Sequence, residues 1–256
     1  MEGTSATASP RRASSPLRGD FLLYKDLPLV YTEWTLDWRT AVPELQDFAN
    51  LNALAPLRLL LAADEEGLYM VHFCTSYPRN QSGIPPAWRF VPCNESNPEA
   101  LSQKSPILHR AITQLQEYFG GERLQFDLPF KHPFATDFQK SVWQHLQTIP
   151  FGTTTSYSAI ARTIGKPKAV RAVGTSNGAN PLGICVPCHR VIGADGSLRG
   201  FSGGLDNKRA LLHFEQKVKQ RKMEEKQHKK RGREAEEKKK KACSMDDSKL
   251  AKLTNK

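Results

Sequence analysis

An α+β fold is what this chain predicts: a small N-terminal sheet domain, a mostly helical C-terminal domain with a helix-turn-helix, and a disordered basic tail. Three observations predict it. Two apolar runs, Leu57–Ala63 and Leu68–Phe73, flank Asp64-Glu65-Glu66-Gly67 and read as a β-hairpin. From about Phe130 onward, apolar residues recur at helical spacing instead. The last 40 residues, 217–256, hold 16 Lys/Arg and 7 Asp/Glu and too few apolar side chains to bury a core.

In order along the chain, residues 1–20 are rich in Ser, Pro and Arg and read as a disordered leader. Residues 21–129 form a supporting domain around the hairpin, with a loop insertion near 76–100 marked by Pro78, Pro85, Pro86, Pro92 and Pro98. Its helix spans Pro106 to Phe119, with apolar residues at Ile107, Leu108, Ala111, Ile112, Leu115 and Phe119, and closes at Gly120-Gly121. Residues 130–216 form the second domain. There Thr136 caps a helix carrying Phe138, Val142, Leu146 and Ile149, which stops at Pro150. Ser156 to Ile164 makes a short helix ended by Gly165, and Pro167 starts another that runs through Gly174. Two short helices across a tight turn suggest a helix-turn-helix. The tail is expected to be helical near 217–240 and disordered beyond.

Composition excludes several classes. The chain of 256 residues is 39% hydrophobic, enough for a sizeable core, and has no apolar run near the roughly 18–20 residues that span a bilayer. Met1-Glu2-Gly3-Thr4-Ser5 lacks the apolar core of a signal peptide. Five scattered cysteines do not make a disulfide scaffold, so a reducing compartment is expected. The net charge of +11 is not confined to the tail, because residues 131–216 carry 10 Lys/Arg against 4 Asp/Glu. A basic folded middle fits a nucleic-acid partner, while the tail fits a nuclear address, a phosphate grip or a solvated extension.

The chemistry concentrates in Pro187-Cys188-His189-Arg190-Val191, which follows the apolar run Leu182–Val186, read here as a short core strand. An imidazole that takes a thiol's proton, directly or through water, makes a strong soft nucleophile. Cys185-x-x-Cys188-His189 also matches haem attachment, a redox pair or half a zinc site. The missing signal peptide argues against haem, and the missing second ligand pair argues against zinc. Cys185, inside an apolar run, reads as a small buried hydrophobe.

In order and spacing, Tyr157, Gly165 through Gly174, Asn180-Pro181, Pro187 through Ile192 and Phe201-Ser202-Gly203-Gly204-Leu205 resemble the O6-alkylguanine-DNA alkyltransferases over roughly Phe134 to Gln216. The resemblance implies a DNA-repair protein that flips an alkylated guanine from duplex DNA and moves the alkyl group irreversibly to Cys188. It implies His189 as base through a water, Glu215 orienting the imidazole, and Tyr157 as proton donor to the base. Arg171 would fill the gap left by the flipped base, with Ala172, Gly174, Lys168 and Thr155 against the DNA. Asn180, Val191, Phe201 and Ser202 would shape the pocket. No cofactor is implied, O4-alkylthymine is a second expected substrate and a monomer is the expected form; the lysine-rich tail places it in the nucleus, or in the cytoplasm if the source is a prokaryote.

Phe201 departs from the tyrosine frequent beside that serine, and Cys185 stands where an aliphatic is usual. Some relatives carry a structural zinc in the N-terminal domain, but the matching hairpin positions are Asp64 and Tyr69, so no metal is expected. A non-catalytic sensor of alkylated DNA, a helix-turn-helix regulator and a thiol redox protein are the rival readings. Cys188 argues against the first, and the poor base-readers Ala169, Ala172, Val173 and Gly174 against the second. The third needs Cys185 exposed.

Overall fold

The computed structural model describes residues 26–49, 51, 54–74, 89–91 and 98–253; the expected leader lies outside them. The hairpin forms where the sequence places it. Strand β1 (Val30–Leu36) pairs antiparallel with β2 (Leu57–Ala63), which pairs antiparallel with β3 (Leu68–Phe73). The Asp64 carboxylate accepts from the amides of Glu66 and Gly67, each at 2.8 Å, and from the Tyr69 hydroxyl at 2.7 Å, which fixes the turn. Strands β2 and β3 show no polar alternation because both faces of the sheet are covered. One face joins the main core, and the other holds a small cluster of Leu29, Tyr31, Leu60, Ala62, Tyr69 and Met70.

Within the stretch expected to be a loop insertion, Arg89–Phe90 forms β4, parallel to β1, and Pro98–Lys104 forms a helix; residues 75–88 and 92–97 lie outside the described residues. Proline density hid a strand that needs only two residues with free edges. The sheet order is β3-β2-β1-β4.

Helix α1 is Trp38–Ala41, α2 is Pro98–Lys104 and α3 is Pro106–Phe119. Ser105 caps α3 by accepting from the Leu108 amide, Pro106 occupies the first turn where its missing N–H costs nothing, and Gly121 leaves with φ 75°. Helix α4 (Asp137–Gln147) opens with the full capping box of Thr136 and Gln139. Strand β5 (Thr155–Ser156) leads into α5 (Tyr157–Thr163), with Ser156 as N-cap. The next helix, α6 (Val170–Gly178), starts three residues later than Pro167 suggested, because Lys166 to Ala169 close a turn with Ala169 N donating to Lys166 O. Strand β6 (Val191–Ile192) pairs parallel with β5. Helix α7 runs from Leu205 to Leu253, so the tail is helical past the point where disorder was expected and is continuous with the folded domain.

Strand β3 lies at the sheet edge, and the second half of the chain covers it. Val71 N donates to Pro181 O at 2.8 Å, and Gly183 N donates to Val71 O at 2.9 Å. The segment leading to Cys188 is thereby pinned to the N-terminal sheet. It is not a strand beyond that single bridge at Leu182. Val186 N turns back to Leu182 O, and Ile184 adopts φ 69°, a left-handed conformation rare for a β-branched residue. Burial made the run apolar, and a buried turn looks like a buried strand in sequence.

A Cβ on Gly183 would sit 2.6 Å from Phe73 Cε2 and 3.0 Å from Val71 O. Gly183→Ala is therefore expected to destabilise the fold by about 1–3 kcal/mol, as overpacking does. Chemical denaturation checks it, and an unchanged midpoint would remove the argument.

Candidate active site

Cys188, His189 and Arg190 form a 3₁₀ turn between the buried segment and β6, and all three are buried. Asn180 braces this turn from both sides: its Nδ2 donates to Val186 O at 2.8 Å, and its Oδ1 accepts from Leu182 N at 3.1 Å. Asn177 Nδ2 reaches Cys188 O at 3.4 Å. Burial pushes the Cys188 thiol up, against the opposing pull of the Asn180 side chain and the Lys208 charge. The resting group at neutral pH is thus the thiol, which needs a base to become a nucleophile.

The adjacent imidazole is held from behind. His189 Nε2 lies 2.9 Å from Glu215 Oε1, while Nδ1 is buried and bonds to no described protein group. Facing a carboxylate, Nε2 carries the hydrogen and leaves Nδ1 as the acceptor. Burial pushes the imidazole down, against the pull of Glu215, so it is neutral and basic at neutral pH.

Glu215 is fully buried and saturated with donors. Arg190 Nη2 and Nε reach Oε1 at 2.8 and 3.1 Å, Nε also lies 3.0 Å from Oε2, and Gly152 N donates to Oε2 at 3.0 Å. The Tyr118 hydroxyl donates to Oε1 at 2.7 Å. Burial alone would push this carboxyl up, but His189 and the Arg190 guanidinium outweigh it and hold it at about 2.

The remaining expected residues fall into two groups. Thr155 pairs with Val191 across β5 and β6, which brings Tyr157, at the start of α5, toward the Cys188 turn. Tyr157 is half-buried, and its hydroxyl is pushed up by burial and by Cys188, so it stays protonated. Phe201 and Ser202 are half-buried in the loop before α7, where Phe201 packs on Phe73 with ring centroids 5.1 Å apart. Lys168, Arg171 and Ala172, by contrast, are exposed and take no part in the buried network. Gly174, half-buried, faces Tyr157, whose Cδ1 would lie 3.9 Å from a Cβ there, so α6 links the exposed face to the site. Trp143 Nε1, donating to Ser176 O at 2.8 Å, ties α6 to α4.

The sequence reading missed Arg190, Tyr118, Gly152 and Lys208 as parts of this site. Lys208 is fully buried, and its Nζ donates to Val191 O at 2.7 Å and Arg199 O at 3.1 Å, stapling the Phe201 loop to β6. A signal for it existed. Lys208, Leu211, Glu215 and Val218 recur at helical spacing, so the lysine and glutamate lie on the apolar stripe of α7 rather than on its wet face. Cys185 is buried, as a core residue would be, which denies a redox pairing its needed exposure. Among the described residues no cluster of three or more His, Cys, Asp or Glu is placed to hold a metal, and no helix is long and apolar enough to cross a membrane.

Two family models match the chain: the ribonuclease-like domain of 6-O-methylguanine DNA methyltransferase over residues 58–132 and its DNA-binding domain over residues 137–217. A methylated-DNA–protein-cysteine methyltransferase of Methanosarcina acetivorans is 44% identical over 157 residues, covering 61% of this chain and 90% of the relative. One of Mycobacterium tuberculosis is 55% identical over 105 residues, covering 41% of this chain and 63% of the relative. Among solved structures, Mycobacterium tuberculosis OGT in complex with DNA aligns with a TM-score of 0.53 and 37% identity, over 74% of this chain and 94% of that one. With both halves matched and the thiol, imidazole and carboxylate joined in one buried wall, the chain belongs to the 6-O-methylguanine DNA methyltransferase family, enzymes of DNA repair that transfer an alkyl group from DNA to a protein cysteine.

Proposed function

We propose that this chain, acting as a monomer, flips O6-alkylguanine, and also O4-alkylthymine, out of duplex DNA and transfers the alkyl group to its own Cys188 once. The observation that carries the reading is the buried His189 imidazole, bonded through Nε2 to Glu215 and open at Nδ1, directly following the Cys188 thiol. The Cys188 proton passes through a water to Nδ1 as sulfur attacks the alkyl carbon. The carbon–O6 bond breaks, its electron pair goes to the guanine, and Tyr157 donates a proton to the leaving base. Proton return from His189 through solvent restores Tyr157, so the net change is a thioether on Cys188 and a repaired guanine. Sulfur in a thioether has no proton to give, which is why the protein acts once.

Unstacking a base costs a few kcal/mol, and an inserted side chain offsets part of it. Arg171, exposed in the first turn of α6 beside Ala172, is the side chain we assign to that gap, with Lys168 and Thr155 on the DNA backbone. Asn180, Val191, Phe201 and Ser202 would line the pocket for the flipped base. The tail's reading as a nuclear address draws no support from the archaeal and mycobacterial relatives.

The test is peptide mass spectrometry after incubation with an oligonucleotide containing one O6-methylguanine. One methyl on the Cys188 peptide is expected, with guanine restored in the DNA and no methyl in Cys188→Ala. Tight binding without transfer would make the chain a damage sensor instead.

A further inference from the structure

We infer that Tyr118, at the end of α3 in the N-terminal half, is a positioning residue for alkyl transfer: it shares one oxygen of Glu215 with His189 and so sets the orientation and strength of the base. The inference rests on the alkyl-transfer reading above. It gives the first domain a part in the chemistry beyond support.

Tyr118 and Glu215 are 97 residues apart in sequence, and their 2.7 Å hydrogen bond is fully buried. The Tyr118 ring is fixed by Phe119, Phe126, Phe151 and Phe214, with centroids 5.0, 5.5, 5.8 and 5.4 Å away. Such an aromatic cage would accept phenylalanine equally well. A hydroxyl in it costs desolvation unless it is bonded, so the hydroxyl's role must be sought at Glu215. Burial, reinforced by the Glu215 charge, pushes the phenol far up, so it is a permanent neutral donor.

The geometry at Glu215 defines what the hydroxyl does. Oε1 accepts from Tyr118, His189 and Arg190, and Oε2 accepts from Gly152 and Arg190, so the carboxylate has no free direction in which to turn. His189 feels Glu215, Arg190 and Lys208; Tyr118 feels Glu215 and Arg190. Every unit of charge that Tyr118 draws from Oε1 is charge the imidazolium does not receive. Removing the hydroxyl loosens Glu215 and leaves more negative charge for His189, which holds its proton to higher pH. Strengthening the donor does the reverse.

The test is single-turnover methyl transfer from an O6-methylguanine oligonucleotide across a pH series, using the full chain. Tyr118→Phe is expected to slow transfer roughly tenfold, the scale of one hydrogen bond to a buried charge, and to move the acid limb of the rate profile to higher pH. A ring-fluorinated tyrosine at 118, a stronger donor that keeps the hydroxyl and the fold, is expected to move the limb to lower pH. Phe126→Leu, which disturbs the cage and spares the hydroxyl, is expected to leave the limb in place. A Tyr118→Phe protein with the wild-type rate, or with an acid limb coincident with wild type, overturns the role of Tyr118 alone. A wild-type protein that puts no methyl on Cys188 overturns the alkyl-transfer reading and this inference together.

Discussion

Arg190→Leu is expected to destabilise the folded chain by about 3–5 kcal/mol, the cost of removing one partner from a buried ion pair. Glu215 cannot follow the arginine out of the core, since its side chain has no exposed surface and α7 is anchored around it by Leu211, Phe214 and Val218. The substitution also leaves the Ile149 carbonyl without the Arg190 Nη1 donor it now has at 2.7 Å. Arg190→Lys is expected to recover only part of the loss, because an ammonium cannot reproduce a fork that contacts both oxygens of Glu215 and a carbonyl at once. The pH dependence identifies the cause. Without the guanidinium, burial is opposed by His189 but no longer by Arg190, and Glu215 takes up a proton at a higher pH in the folded state than it does in wild type. Unfolding curves of wild type and Arg190→Leu should therefore converge as pH falls, and a constant gap in denaturation midpoint would rule out the ion pair as the origin.

Much of this arrangement was legible before any coordinates, and the limits of legibility are physical. The hairpin could be read to the residue because Asp64 to Gly67 is turn chemistry between two apolar runs, and the Thr136 cap is a local signal that acts locally. Cys188 and His189 were legible as candidates because a thiol and an imidazole are adjacent in sequence. Glu215 came only through family resemblance, and Tyr118 not at all: a tyrosine closing an amphipathic helix gives no hint of a carboxylate 97 residues away. Long-range polar contacts leave no periodicity. The Leu182–Val186 run failed for a different reason, since hydrophobicity reports burial and not backbone conformation, and the left-handed Ile184 is invisible in composition. Arg190 lies within the motif, yet its place beside a histidine gives no sign of a buried carboxylate 25 residues on.

Glu215→Gln is expected to reduce the single-turnover rate of methyl transfer by roughly 10²–10⁴-fold, the range associated with a positioned general base and with neutralising the carboxylate that supports one. The amide keeps the shape, and its oxygen can still accept from His189 Nε2, but its NH2 then faces two donors, the Gly152 amide and Arg190 Nε, so the substitution removes the charge and those accepted hydrogen bonds together. In the proposed transfer His189 takes the Cys188 proton and becomes a cation inside the core, with Arg190 and Lys208 nearby and, among the described residues, Glu215 opposing them. Removing that charge leaves the imidazolium facing two cations, so His189 loses basicity and the thiol keeps its proton. Affinity for lesion-containing DNA should change little, since Glu215 is fully buried and Arg171 and Lys168 are exposed elsewhere on the chain. The same carboxylate also ties folding to acid. Its folded-state value of about 2 lies below its ordinary 4.5, so its contribution is complete above pH 4.5 and is lost as pH falls toward 2. Glu215→Gln should lack that loss across the interval, even though leaving Arg190 uncompensated makes it less stable at neutral pH. Rapid-quench transfer assays and acid titration of stability check the two halves separately. A rate within a few-fold of wild type would mean that His189 needs no charge behind it, and the buried wall would then be structural.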